Sequence, residues 1–400
     1  MSAAGALDAR LRPQIQALRD RDLHRQRRVV DGSHGARIRV DGRDCVNFCA
    51  NDYLGLAADP RLAEAARASL ARDGTGSGAA ALISGHNREH RALEEALADF
   101  LGAEAALLFS SGWAANLGAL RALAGPDTHL CADALNHASL IDGVRLTKAP
   151  YVRVTHADAA AFDAALGNAP DAAIAVTDGI FSMDGDVAPL PELAGVCARR
   201  GATLYVDDAH GFGVCGPDGR GSLAAAGLSH ADVPVYVATL GKSLGASGAF
   251  VAGSRTLIDY LVQKARTWVF STAPPPALSA AARAGLAVLR SEPERLAALH
   301  ANIAHFRAGA TERGIRLGPP DGAAGEHAIQ PLLLGDAGRT MAASRALFER
   351  GYWVAGIRPP TVPAGTSRLR LTLSAAHTRE QIEGVLDALH AVLAPQAEPA

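Results

Sequence analysis

At 400 residues the chain is too long for one ordinary core, and it predicts a large domain with at least one smaller one. A composition of 48% hydrophobic and 20% charged residues reads as globular, and a net charge of -2 gives no electrostatic case for nucleic acid or an anionic membrane, which leaves small molecules as partners. Five cysteines, odd in number and without a C-x-x-C pair, fit a reducing compartment. Charge appears within the first ten residues and no stretch approaches an apolar membrane span, so a cytoplasmic location is expected.

Residues 1–50 read as an N-terminal arm: a charged, helix-prone segment, LDARLRPQIQALRDRDLHRQRR, then the short strands ARIRV and CVNF. From Asp59-Pro60, a capping residue followed by proline at the first helical position, helices alternate with apolar strands. The strands are EAALLFS, THLCA, YVRVT, AAIAVTD, TLYVDD, VYVATL and GAFVAG, with helical segments such as NREHRALEEALADFLG and PELAGVCARRG between them. This pattern predicts an α/β domain over 51–290 with a mostly parallel sheet and a ligand at the carboxyl ends of its strands. After Ser271-Thr-Ala-Pro-Pro-Pro276 come long helices, then AIQPLLLG, a helix, YWVAGI, SRLRLTL and a last helix, a small α+β domain over 291–400.

Lysine is nearly absent: only Lys148, Lys242 and Lys264 occur. Lys242 follows the apolar run Val233–Thr239 and is flanked by Gly241, Ser243, Gly245 and Gly248, a loop in which backbone can approach a ligand closely. A snorkelling surface lysine is the ordinary alternative, and the glycines and the scarcity of lysine argue against it. One unit earlier the strand TLYVDD ends in Asp207, with His210 three residues on. Together these residues suggest a lysine that carries pyridoxal phosphate (PLP) as a Schiff base, with a carboxylate on the ring nitrogen. Alone, Asp207 reads equally as a strand-end carboxylate capping a turn, and His210 as either a contact to the cofactor's phenolic oxygen or a loop histidine.

The run FSSGWAAN follows a strand and opens a helix, so N–H groups near Ser111, Gly112 and Trp113 would point at an anion, unless this is simply a tight turn. Thr239 offers a hydroxyl to the same phosphate, although a β-branched strand end needs no such reason. His137 precedes a helix and could stack on a flat ring; equally, the segment reads as no more than a helix capped by Asn136. Ser182, in FSMDGD, follows the AAIAV strand at the same edge, and this run lacks the twelve-residue calcium pattern. His86 and His90 lack the glutamate of a zinc HExxH motif, so no metal is expected. The run GTGSG follows a helix and does not continue as a dinucleotide fingerprint.

Taken in order, NDYLGL, GTGSG, FSSGWAAN, NHASLIDG, FSMDGD, VDDAHGFG, TLGKSLG and RLRLTLSAAH resemble the α-oxoamine synthases, PLP-dependent enzymes of fold type I, over most of the chain. The resemblance implies that Lys242 anchors the cofactor and acts as general base, Asp207 pairs with the pyridine nitrogen, His137 stacks on the ring, and Ser182 and His210 contact its phenolic oxygen. It also implies a phosphate held by Gly112, Trp113 and Thr239, with Thr272 supplied by a second subunit, and hence a homodimer with a shared active site. Arg358, in Gly356-Ile-Arg-Pro-Pro-Thr-Val-Pro363, would grip the amino acid's carboxylate with a bidentate fork, or else is a surface arginine before a proline-fixed turn. Asn51 and Arg25 join it as substrate contacts, Arg25 near the acyl group.

Residues 356–363 are most similar to the family member that condenses L-alanine with a pimeloyl thioester, on coenzyme A or a carrier protein. Members that use glycine or serine are the alternatives, and a fold type I aminotransferase would use the same lysine and aspartate. An inactive dimer partner should lack Lys242. One departure is Asp178, where many relatives carry glutamate, which keeps the charge and shortens the reach.

Overall fold

In the computed structural model, which describes residues 3–167, 172–318 and 326–394, the chain divides into two units. The larger is Asn51–Ser182 with Asp186–Ala298, and the smaller gathers Met1–Ala50, Met183–Gly185 and Leu299–Ala400. The first fifty residues are therefore grouped with the C-terminal segment, and the later boundary falls at Leu299, where the sequence put it near 291.

The N-terminal helix α1 (Ala3–Asp20) stops short of the charged run that extends to Arg28, because Asp22 turns the chain with φ 55° and Leu23 and His24 both donate to the carbonyl of Leu18. Strands β1 (Val30–Asp31), β2 (Arg37–Val40) and β3 (Arg43–Asn47) follow as antiparallel neighbours over Ile38, Val40 and Cys45.

In the larger unit, α2 (Pro60–Asp73) starts where the Asp59 carboxylate accepts the Arg61 N–H, with Pro60 in the first helical position. Helix α3 (Arg88–Leu101) opens on a reciprocal box between Asn87 and His90. Then come β4 (Ala105–Phe109), α4 (Gly112–Leu123), β5 (His129–Asp133), α5 (Ala138–Thr147), β6 (Tyr151–Val154), α6 (Ala159–Gly167) and β7 (Ala173–Asp178). They are followed by α7 (Leu190–Arg200), β8 (Thr203–Asp207), α8 (Ser222–Ala225), β9 (Val235–Thr239), β10 (Ala249–Gly253), α9 (Arg255–Lys264), α10 (Arg266–Val269) and α11 (Pro276–Ser291).

The seven strands form one sheet in the order β4-β10-β9-β8-β7-β5-β6, and only β10 runs antiparallel to its neighbours. Strands β4, β7 and β10 are buried at every position, which is why their sequences are apolar runs without alternation, broken only by Thr177 and Asp178 at the end of β7. The register brings several strand ends to one edge: Phe109 and Thr239 both face Ala249, and Asp178 faces Asp207. Helix α5 lies close on α4 because position 143 is glycine. A Cβ there would meet Leu120 Cδ1 at 2.6 Å and the Asn116 carbonyl at 3.3 Å.

Helix α12 (Pro293–Glu312) spans the boundary, and the smaller unit continues with β11 (Ile329–Gly335), α13 (Ala337–Glu349), β12 (Tyr352–Trp353), β13 (Ala355–Ile357), β14 (Ser367–Thr372) and α14 (Arg379–Leu393). The run YWVAGI, read as one strand, is two: Tyr352–Trp353 pairs parallel with β3, and Ala355–Ile357 pairs antiparallel with β14. Fully buried Val354 is the joint. Among the described residues no helix is long and apolar enough to cross a membrane.

Candidate active site

Lys242 leaves the end of β9 on a loop that seats against the Asn51–Ala57 segment. The loop can do so because Gly245 has φ 63° and a Cβ there would lie 2.4 Å from the Leu56 carbonyl carbon. Lys242 Nζ is 2.7 Å from His210 Nε2, and the buried His210 places Nδ1 2.6 Å from the Tyr53 hydroxyl. Tyr53 in turn donates to Asn51 Oδ1 at 3.2 Å. One proton assignment serves the whole row: the Lys242 ammonium donates to Nε2, the Nδ1–H donates to the Tyr53 oxygen, and the Tyr53 hydroxyl donates to Asn51. Lys242, His210 and Asn51 are thus brought together. Tyr53, present in the sequence reading only within the NDYLGL motif, is their link.

Asp207 ends β8 beside them. Its Oδ1 accepts the Ala209 N–H at 3.0 Å and its Oδ2 accepts Asn116 Nδ2 at 2.6 Å. Asn116 is 0% exposed and serves three partners. It donates also to Ser139 Oγ at 2.8 Å and accepts from the Tyr205 hydroxyl at 2.9 Å. The Ser139 N–H donates to His137 Nδ1 at 3.3 Å, which makes that nitrogen an acceptor, so the Ser139 hydroxyl 2.7 Å away donates to it as well. Two donors on Nδ1 leave His137 neutral there, with its hydrogen on Nε2. Packing of protein around the ring lowers the His137 pKa; the Asp207 charge opposes this and the Lys242 charge adds to it. Asn116 escaped the sequence reading, although an asparagine one turn inside a helix is a signal in itself, since such residues usually sit at caps.

The cap of α5 is His137 itself, not Asn136. Asn136 instead straps two strand ends together: Nδ2 donates to the Val176 carbonyl at 2.9 Å, and Oδ1 accepts the Asp178 N–H at 3.0 Å. Asp178 Oδ2 accepts the His137 N–H at 2.7 Å, which gives the shortened acid a definite contact. Burial first and Asp207 second push its pKa well above the usual carboxylate range. Behind Asp207, buried Asp208 accepts from Ser222 and Tyr236, and burial raises its pKa to about 6.

The start of α4 faces this edge. Ser111 caps it by accepting the Ala114 N–H, and Gly112 borders open space, since a Cβ there meets no atom within 4 Å. Trp113 is 44% exposed and stands edge-on to His137 with ring centroids 6.3 Å apart. The Thr239 hydroxyl donates to the Gly248 carbonyl and accepts the Gly241 N–H, so it serves the turn. Ser182 is half-buried past the end of β7, and Thr272 is exposed in a bridge with Ala80. His86 and His90 are spent elsewhere: His86 meets Glu94, and His90 meets Asn87 and the Pro274 carbonyl. A primary amine, an anchored carboxylate, a neutral imidazole and a helix start at one sheet edge are the donor set that PLP requires, and the residues present fit that cofactor.

In the smaller unit, Arg19, Arg25, Arg28, Arg345 and Arg358 line one cavity of about 460 Å³. Arg358 is 9% exposed, so it is no surface arginine. It donates to the His24 carbonyl at 2.7 Å and touches Met341 sulfur, while its buried Nε has no hydrogen-bond partner. Burial first and Arg25 second lower its pKa. Arg25 donates to Thr361 Oγ1 at 3.1 Å, so this unit brings both expected arginines to the same cavity. The sequence reading also passed over Arg370, buried on a strand without a single exposed residue. A charge flanked by leucines inside such a strand was the available signal.

Residues 43–389 match the family model described as aminotransferase class I and II. A curated relative from Methylococcus capsulatus, named 8-amino-7-oxononanoate synthase, is 53% identical over 94% of this chain and 96% of its own. Among solved structures, a serine palmitoyltransferase from S. paucimobilis with bound PLP and myriocin superposes with a TM-score of 0.90 at 31% identity, covering 98% of each chain. An 8-amino-7-oxononanoate synthase from Francisella tularensis does so with a TM-score of 0.75 at 29% identity, over 87% of this chain and 97% of that one. With a PLP-ready sheet edge and relatives of this kind along nearly its whole length, the chain belongs to the class I and II aminotransferase family of fold type I PLP enzymes and, within it, to the 8-amino-7-oxononanoate synthases.

Proposed function

We propose that Lys242, Asp207, His137 and His210 carry the reaction of this family: PLP-dependent condensation of L-alanine with a pimeloyl thioester to 8-amino-7-oxononanoate, CO2 and free thiol, a step of biotin synthesis. The observation that carries the assignment is the 2.7 Å contact between Lys242 and buried His210, at the sheet edge where Asp207 is held by Asn116. Bound PLP supplies an electrophilic carbon for the amino group and an electron-poor ring that stabilises negative charge at the alanine α-carbon.

The chain's residues do the rest. Lys242 Nζ would hold the cofactor covalently, and its amine would be the base that takes the alanine α-proton and returns one to the same carbon after CO2 has left. His210 fixes where that amine can sit. Asp207 keeps the pyridine nitrogen protonated, and the neutral ring of His137 covers one face of the cofactor. Ser182 and His210 hold the phenolic oxygen, while Gly112 and Trp113 hold the phosphate, joined by Thr239 when its hydroxyl turns from the Gly248 carbonyl. Thr272, exposed in this chain, completes the phosphate cradle of a second copy, so the active enzyme is a cytoplasmic homodimer. Asn51 contacts substrate, Arg358 grips the alanine carboxylate and Arg25 the acyl group. The unpartnered Nε of Arg358, set among other arginines, supports an anionic ligand for that cavity.

Borohydride reduction of the holoenzyme followed by peptide mapping is expected to label Lys242, and label on Lys148 or Lys264 would move the site. Free-thiol release is expected with alanine and pimeloyl-CoA. Release with glycine and acetyl-CoA instead would overturn the substrate assignment.

A further inference from the structure

Beside the residues just assigned, one side chain without a role in the chemistry ties together two loops of the same sheet edge. His156 follows β6. Its Nδ1 lies 2.9 Å from Asp133 Oδ1 at the end of β5, and its Nε2 lies 2.6 Å from Asp186 Oδ2 beyond β7. A neutral imidazole has a single N–H, so only the imidazolium can donate to both carboxylates. Burial pulls the His156 pKa down, and the hydrogen bonds and charges of Asp133 and Asp186 more than reverse this, raising it to about 10. The other oxygen of Asp186, Oδ1, is buried with no hydrogen-bond partner, a cost that the charge-assisted bond to His156 helps to offset. The ring stands edge-on to Phe181 with centroids 4.3 Å apart.

Each arm of this bridge ends next to a proposed cofactor contact. Asp133 also accepts the N–H groups of Leu135 and Ala157, and its carbonyl accepts that of Asn136, the residue before His137. On the other side the Asp186 carbonyl accepts the Phe181 N–H at 2.9 Å, and Ile180 bridges Val187, so Asp186 closes the loop whose outgoing limb carries Ser182. We propose that His156, as an imidazolium, is a positioning residue that fixes the spacing between the loop bearing His137 and the loop bearing Ser182, and so sets the cofactor's ring between them. The inference rests on the cofactor contacts proposed above.

The test titrates apoprotein with PLP, follows the visible band of the bound cofactor and records that band's dependence on pH. Wild-type uptake tests the cofactor reading separately: no uptake would end that reading whatever His156 does. With uptake in hand, His156→Leu is expected to weaken PLP affinity by about tenfold or more and to move the band's pH titration, as loss of a supporting group does at other cofactor sites. Asp186→Asn, which removes one arm of the bridge, is expected to act in the same direction and carries the test if His156→Leu does not fold. Leu166→Ala, a packing loss in nearby α6, is the control, lowering Tm while leaving affinity and band unchanged. The double variant His156→Gln with Asp186→Asn restores a neutral donor and acceptor pair and should recover part of the affinity lost in His156→Gln. If affinity and band titration stay within about twofold of wild type in His156→Leu and Asp186→Asn, whatever the fall in Tm, the bridge is purely structural and the proposal fails.

Discussion

The two sets of polar residues in this chain are built on opposite plans. At the sheet edge of the larger unit, Asn116, Ser139, Tyr205 and Asp207 satisfy one another, so that geometry exists before any ligand arrives. In the cavity of the smaller unit, five arginines converge, and one of them has a buried nitrogen without a partner. The difference separates two ways of preparing a site. The first stores orientation and the second stores an appetite for negative charge.

Substitutions can break this contrast. The largest effect is expected for Lys242→Ala, which should lower kcat by about a thousandfold or more and abolish borohydride labelling. Arg358→Ala should raise the KM for alanine by about tenfold or more, consistent with a lost charge-assisted bond. Thermal melting of the ligand-free protein should show Tm unchanged or raised, because a crowded cation is gone. A clear fall in Tm would mean that the arginine cavity is a structural network like the sheet edge, and the contrast would collapse.

A subtler contrast lies in two histidines of opposite sign. His377, in the smaller unit, is buried and neutral and donates from Nε2 to the Asn47 carbonyl at 2.9 Å, and burial lowers its pKa to about 4. The unfolded chain then binds more protons than the folded one between about pH 6.5 and 4, so this group's contribution of about 3 kcal/mol is present at neutral pH and lost on acidification. His156 has its pKa raised to about 10, so its contribution is full below about pH 6.5 and is lost as pH rises towards 10. Denaturant titrations across pH should therefore show His377→Gln flattening the acid limb of stability and His156→Gln the alkaline limb. Exchange of the two outcomes would refute both assignments. The smallest effect is expected for Gly143→Ala, which presses a methyl on Leu120 and the Asn116 carbonyl: about 1–3 kcal/mol of destabilisation with a modest loss of kcat.

Much of the sheet edge was legible in the sequence, because a parallel sheet converts chain order into spatial convergence. Residues at successive strand ends, Asp207 and Thr239 among them, must emerge together once the strands are recognised. What stayed hidden depends on partners distant in sequence. Asn116 is 91 residues from Asp207, and Tyr53 is 157 from His210. Asn136 looked like a cap because local chemistry favours asparagine there, yet its two strand partners hold it elsewhere. The split of YWVAGI at Val354 was invisible because a continuous apolar run does not say which sheet each half will join.

The saturation of Asn116 has one more consequence, which concerns charge rather than shape. Asn116 holds Ser139 beside His137 Nδ1, where the Ser139 N–H and hydroxyl favour an uncharged ring, so Asp207 faces no neighbouring imidazolium there. On the contacts proposed above, the whole of that charge would be left for the cofactor's ring nitrogen. Under that proposal, a buried amide one turn inside a helix would bias which of two aromatic rings in the site becomes the cation.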